Sequence, residues 1–225
     1  MSTQQRIPSR LLPGRRRLTG LVLAGLLLLV PPALGAAPPA WYTARPGDSL
    51  AKMARLLGVS PEQLRRDNPA VGTALHAGQR LRVADPLRRL KAADLRWRRP
   101  LGVRHGPVLR GFGAHKRLSG GHVPHTGIDV AVPLGAVVHA PATGVVRYCG
   151  PQDGFGTVII LEHAAGWSTV LAPLEPDTSR CRVGEIVLRG DELGRVGAPH
   201  EGPRPCLHVE LREGRQAVRP TRLLR

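Results

Sequence analysis

Aromatic residues are scarce in this 225-residue chain: three Trp, two Tyr and two Phe amount to 3% of it. Acidic residues are few as well, 16 against 33 Lys and Arg, for a formal net charge of +17. Such an excess raises nucleic acid as a partner. Here, however, the basic residues are spread along the chain rather than gathered, and few aromatics accompany them. The balance points instead to an anionic cell-wall polymer, a lipid surface or an acidic protein. Only three cysteines occur, so they cannot all pair within one chain. Internal repeats and low-complexity tracts are absent, which sets aside a solenoid. Long apolar runs are missing too: the longest, Leu18 to Val30, is short for a membrane span.

That run has a context. Arg15, Arg16 and Arg17 precede it, and Pro31, Pro32 and the small-residue stretch Ala33 to Ala37 follow. Basic, apolar and small-residue regions in this order predict a secretory signal over residues 1–37, cleaved near Gly35 to Ala37. Without a cysteine at the cleavage region, a lipoprotein anchor is not expected. Export places the protein in the periplasm or cell envelope and leaves it no transmembrane span. Removing the five arginines before the cleavage region still leaves about +12. In an oxidising compartment, Cys149 and Cys181 are candidates for a disulfide, with Cys206 left over.

The mature chain opens on a regular pattern. Asp48 or Ser49 can cap a helix whose apolar positions Leu50, Met53, Ala54 and Leu57 recur at helical spacing, and Gly58 ends it. Ser60-Pro61-Glu62 starts a second helix that stops at Asn68-Pro69. Flanking apolar runs complete a β-α-α-β unit over 41–84. A basic stretch, residues 85–99, carries a partial stripe of Leu87, Leu90 and Leu95 and is expected to form a short helical linker. From residue 100 to 225 glycine, proline and short alternating apolar runs predict a mainly β domain, an antiparallel sheet or sandwich with tight hairpins. That length can bury its own core.

Two segments about eighty residues apart carry metal-ligand chemistry: His125-Thr126-Gly127-Ile128-Asp129 and Cys206-Leu207-His208-Val209-Glu210. Zinc takes imidazole nitrogen and carboxylate oxygen, and a hydrolytic site uses three protein ligands with a fourth position open. His125, Asp129 and His208 supply that set. Gly127 permits a tight backbone path between the first two. In a strand, Cys206, His208 and Glu210 share one face while Leu207, Val209 and Leu211 enter the core. Cys206 is then either a fourth ligand, closing a structural site, or a small half-buried residue. Glu210 is expected to reach a backbone or basic partner. His105, His115, His122 and His200 sit in glycine- and proline-rich stretches that read as loops.

Around these residues, from Trp97 to the C-terminus, the chain resembles the LytM or lysostaphin-type zinc endopeptidases of peptidoglycan. Val108 to Gly113, His125 to Val130, Gly135 to Val146, Gly156 to Leu174 and Val183 to Gly197 follow the family's order, and the last motif is normally His-Leu-His-Phe-Glu. The resemblance implies zinc held by His125, Asp129 and His208. It also marks two departures. Leu171-Ala172-Pro173-Leu174 stands where the family has Tyr-x-His-Leu, and Cys206 stands at the other catalytic histidine. Both proton-handling groups are thereby replaced. His163 is the weak candidate for a substitute base, though a strand-end packing role is the simpler reading.

Trp41 to Leu50 and Ala77 to Val83 resemble the opening and close of a LysM domain. That resemblance implies binding to N-acetylglucosamine-containing glycan strands of peptidoglycan, with Gly47, Asp48, Ser49 and Leu50 on one lip and Asn68 and Pro69 near the other; Asp48 and Asn68 read equally as cap or turn residues. The two-module order is similar to the envelope amidase activators of the NlpD and EnvC type, whose LytM-like domains are also degenerate, although those usually lose the metal ligands that are kept here. Three expectations follow: a wall-bound regulator of an amidase or division protein, an active zinc endopeptidase cutting stem-peptide cross-links, or a wall-binding protein whose zinc only stabilises the fold.

Overall fold

The computed structural model describes residues 39–88, 95–102, 106–118, 121–176, 182–199 and 203–224, with the side chains of 116–118 and 121–122 excepted. The expected signal segment, Cys181 and its pairing with Cys149, His105 and His200 lie outside the described residues.

The N-terminal unit is β1 (Ala40–Thr43), α1 (Leu50–Leu57), α2 (Pro61–Asp67) and β2 (Arg80–Val83), with β1 and β2 antiparallel. Ser49, not Asp48, caps α1 by accepting from the Lys52 N–H, and Gly58 closes it at φ +65°, where a side chain would be strained. Leu50, Met53, Ala54 and Leu57 form its buried face. Ser60 caps α2 with Pro61 in its first turn.

Two polar side chains hold this unit from inside. Asp48 accepts from Tyr42 Oη at 2.7 Å, the Arg45 N–H at 2.9 Å and Lys52 Nζ at 2.9 Å. Burial raises the Asp48 pKa, yet the bonds from Lys52, Tyr42 and Arg45 outweigh it and hold the carboxyl below its usual range. Asn68 ties α2 to β2, donating to Leu64 O (2.8 Å) and Arg82 O (2.7 Å) and accepting from the Arg82 N–H (2.8 Å).

The remaining strands are β3 (Val108–Arg110), β4 (His115–Leu118), β5 (Gly121–Pro124), β6 (Ile128–Ala131), β7 (Val137–His139), β8 (Gly144–Gln152), β9 (Gly156–Glu162), β10 (Trp167–Leu174), β11 (Ile186–Val187), β12 (Glu192–Arg195), β13 (Cys206–Glu213) and β14 (Gln216–Val218). Seven lie in the order β11-β8-β9-β10-β13-β6-β3 and β14 joins β13, making an eight-stranded sheet; β4–β5 and β7–β12 are separate pairs. All the named pairings are antiparallel, as the glycine-punctuated alternation predicts. The fold is mainly β, and among the described residues both α-helices lie in the N-terminal unit. His115 and His122 sit on β4 and β5, not in loops, because the glycines around them make a hairpin.

The helical linker expected over 85–99 is not seen at its described ends. Asp85 and Leu87 adopt φ of +48° and +69°, and residues 95–99 have no regular structure; 89–94 lie outside the described residues. Leu87 and Leu95 are buried nonetheless. Leu87 therefore packs from a turn and Leu95 from an irregular segment, not from one helical face among the described residues.

The modules are docked. The Trp41 N–H donates to Gly184 O at 2.9 Å, and the Arg45 guanidinium grips both oxygens of Asp191, which also accepts from the Leu188 N–H. Buried side chains of both units belong to one continuous apolar cluster.

His163, at the end of β9, is a second buried polar tie. Its Nδ1–H donates to Thr143 O at 3.0 Å, and Nε2 accepts from Thr169 Oγ1 at 2.9 Å, with Trp97 edge-on at 5.3 Å. Gly144 leaves the room: a Cβ there would lie 2.7 Å from His163 Nδ1.

Two outcomes are expected. Asn68→Ala leaves two carbonyls and one N–H of the α2–β2 junction without that partner, and each buried orphan costs about 1–3 kcal/mol; urea unfolding should show a loss of about that size, and an unchanged midpoint would contradict it. Burial pushes the His163 pKa from 6.5 down to about 4, against the smaller upward pull of the Thr143 bond. The unfolded chain therefore binds the proton first as pH falls. Stability linked to His163 is full above pH 6.5 and is lost on acidification toward about pH 4, by up to about 1.4 kcal/mol per pH unit. Unfolding curves between pH 7 and 5 should show this slope in the parent and a shallower one in His163→Gln.

Candidate metal centre

Strand register builds the site. β13 lies between β10 and β6, with His208 directly opposite Ala172 on one side and Asp129 on the other. Arg110 of β3 is paired with Asp129. His125 precedes β6, and its main chain is fixed by bonds from its N–H to Ala114 O and from the Gly113 N–H to its carbonyl.

Gly127 was expected to permit a tight backbone path between the first two ligands. Its backbone is not in the left-handed region. Space is the constraint: a Cβ at Gly127 would stand 2.5 Å from Val209 O, 2.8 Å from His208 Cε1 and 3.0 Å from Glu210 Cγ. The absence of a side chain there lets the first motif lie against the second.

Three donor atoms converge as a result. His125 Nε2 is 3.1 Å from His208 Nδ1, His208 Nδ1 is 2.7 Å from Asp129 Oδ1, and His125 Nε2 is 3.3 Å from that same oxygen. Tetrahedral zinc with bonds of about 2.0–2.1 Å needs ligand atoms about 3.3 Å apart. The outer nitrogens fix the tautomers. His125 Nδ1 faces Gly111 O at 2.9 Å, and a carbonyl only accepts, so the proton is on Nδ1. His208 Nε2 faces Glu210 Oε1 at 3.2 Å, a carboxylate that likewise calls for a donor. The inner nitrogens then present two lone pairs to each other and to a carboxylate oxygen, an arrangement that needs a cation among them.

The ionisation of the clustered side chains expresses the same demand. Burial pushes the His208 pKa down, but its bonds to Asp129 and Glu210 prevail and raise it to about 9, so a proton takes the Nδ1 position. Burial raises Asp129, yet His125 and His208 hold it well below the usual carboxylate range. Glu210 is likewise raised by burial and drawn down to about 2 by His208, Arg212 and Thr126. Arg110 Nε donates to Asp129 Oδ2 at 2.9 Å, leaving Oδ1 to face the histidines.

Among the described residues, His125, Asp129 and His208 form the one cluster whose ligand atoms lie within 4.8 Å of each other. Cys206 is not in it, although it shares the strand face with His208. His163 is also outside, with both nitrogens engaged in the far end of the sheet. Pro173 is buried in β10, 3.1 Å from where a Cβ of Gly156 would stand, and the neighbouring Phe155 ring lies 5.7 Å from that of His208. Phe155 and Glu210's contact with His208 were missed from sequence. The i, i+2 spacing of His208 and Glu210 was the available signal for the second.

Of the six residues expected to contact glycan, Gly47, Ser49 and Pro69 reach the surface. Asp48, Leu50 and Asn68 are 7%, 2% and 8% exposed, and their side chains serve the fold. No helix among the described residues is long and apolar enough to cross a membrane.

Comparison with known proteins agrees with both halves of this architecture. Residues 42–84 match the LysM domain and residues 123–220 match Peptidase family M23. DD-carboxypeptidase/endopeptidase Mpg of Neisseria meningitidis serogroup B is 37% identical over 122 residues, 54% of this chain and 25% of that protein. Cell division protein DipM of Caulobacter vibrioides is 32% identical over 108 residues, 48% of this chain and 17% of its own length. The chain thus spans a quarter or less of these two relatives. The uncharacterized lipoprotein YgeR of Escherichia coli is 25% identical over 232 residues, 91% of this chain and 89% of that one. In fold, the chain is similar to a zinc containing peptidase from Vibrio cholerae, with a TM-score of 0.51 at 19% identity over 81% of this chain and 69% of that one. The chain therefore joins a LysM domain, over residues 42–84, to a peptidase family M23 domain, over residues 123–220.

Proposed function

We propose that the protein is an exported, peptidoglycan-binding regulator whose M23 domain is catalytically impaired and activates a separate wall amidase during remodelling or division. One observation carries the reading: the donor triad converges, while Pro173 and Cys206 stand where the family's proton-transferring histidines are found. Proline has no proton to exchange. Loss of a general acid–base group costs about 10²–10⁴-fold in rate, and loss of an oxyanion donor about 10²–10³-fold. The LysM domain holds the protein on glycan strands through its exposed lip at Gly47, Ser49 and Pro69. Basic charge spread over the chain favours an anionic wall polymer further.

Zinc suits the donor set of two imidazoles and one carboxylate, and His125, Asp129 and His208 are the residues that would hold it. When bound, it supplies a Lewis acid able to polarise a carbonyl. The protein's own residues orient it: Gly111 fixes the His125 ring, Glu210 the His208 ring and Arg110 the Asp129 carboxylate.

An active zinc endopeptidase is the second reading. It is favoured by the intact triad and by the peptidase name of the Neisseria relative.

The deciding experiment measures zinc content and peptidoglycan digestion by the purified mature protein, alone and with a periplasmic amidase. Bound zinc, no digestion alone and a stimulated amidase are expected. Digestion by the protein alone, abolished in His125→Ala, would overturn the regulator reading. A converse outcome is expected for the double variant Pro173→His, Cys206→His, which should gain hydrolysis measurable as soluble muropeptide release. No gain, with zinc bound and circular dichroism unchanged, would remove the correspondence of those two positions with catalytic histidines.

A further inference from the structure

Glu210 is an expensive residue where it sits. It is 2% exposed, next to a strand face that packs the core, and a buried carboxylate is destabilising unless every partner is in place. Its partners are in place: His208 of the metal cluster, Thr126 of the first ligand motif, and Arg212 of the same strand. Oε1 faces His208 Nε2 at 3.2 Å and accepts from the Thr126 hydroxyl. Oε2 is held by Arg212 through Nε at 2.8 Å and Nη2 at 2.7 Å. Thr126 lies between the ligands His125 and Asp129, so one carboxylate joins the first ligand motif to the second across 84 positions of sequence.

We propose that Glu210, held by Arg212 and Thr126, is a positioning residue that fixes the His208 ring with its proton on Nε2, so that Nδ1 is the metal donor, and ties the two ligand motifs into one unit. The inference rests on the metal-binding reading of the cluster. Its chemistry is that of a carboxylate accepting from the outer nitrogen of a ligating imidazole: the bond sets ring orientation and makes the inner nitrogen a stronger donor. The Arg212 fork keeps the carboxylate from rotating, since it occupies Oε2 and leaves Oε1 to His208 and Thr126. A purely structural role would be met at lower cost by an apolar side chain, as at Val209 and Leu211 on the other face of the strand.

The test is zinc affinity of the mature full-length chain, measured by competition with a chromophoric chelator, and the visible spectrum of the cobalt-substituted protein. Glu210→Gln keeps the shape and removes the charge. Its zinc affinity should fall by about 10–100-fold, with a shifted cobalt spectrum. Glu213→Gln, an exposed glutamate on the same strand, is the control for net charge and should match the parent. Should Glu210→Gln not fold, Arg212→Gln serves in its place, with a smaller loss in the same direction. Affinity within twofold of the parent in a folded variant, or an equal loss in Glu213→Gln, overturns the proposal. A parent protein that binds no zinc overturns the metal-binding reading beneath it, which is a separate and recognisable result.

Discussion

Two imidazole lone pairs and a carboxylate oxygen directed at one point repel each other unless a cation stands among them, and the C-terminal domain is organised around that demand. His208 sits at the middle of the eight-stranded sheet, on the strand with neighbours on both sides, where its backbone has least freedom to retreat. Asp129 is opposite it in register, and His125 is delivered by the turn before the same strand. Around this triad a carbonyl, a glutamate and an arginine take up the remaining polar atoms. Rigid β-structure thus holds together charges that a loop would let separate.

The same sheet explains what the departures from the family mean chemically. Holding a cation and moving protons are separate tasks, carried by different side chains at different positions. Cys206 occupies a place two residues from His208 on the same strand face yet stays out of the cluster. Pro173 packs under the hairpin that carries Phe155, itself close to His208. The donor atoms of His125, Asp129 and His208 converge, while Pro173 and Cys206 lie outside their cluster.

In the LysM domain the polar residues near the expected glycan lips turn inward. Asp48 gathers Tyr42, Arg45 and Lys52, and Asn68 stitches α2 to β2. Arg45, whose N–H holds Asp48, sends its guanidinium to Asp191 of the second module. Arg45, which helps shape the LysM unit, therefore also fastens it to the M23 domain, and the two modules share one apolar core.

Much of this was written locally. The caps at Ser49 and Ser60, the stop at Gly58 and the antiparallel hairpins follow from short-range patterns, because helix caps and strand alternation are set by neighbours in sequence, while the donor set of His125, Asp129 and His208 was named by its motifs and the resemblance they carry. What depended on distant partners was not legible. The leucines of the linker indicated a helix, yet Leu87 lies in a turn and residues 95–99 have no regular structure; Asp48 and Asn68 were balanced between ligand and scaffold until their burial and bonds were visible; and the clearance Gly127 gives depends on Val209, His208 and Glu210. The docking of Arg45 on Asp191 and the bridge from Thr126 to Glu210 join residues 146 and 84 positions apart. The sequence by itself determined the modules, their elements and the donor set. Only the tertiary structure decided which polar groups face inward, because burial and hydrogen-bond satisfaction are properties of the packed chain and not of any segment of it.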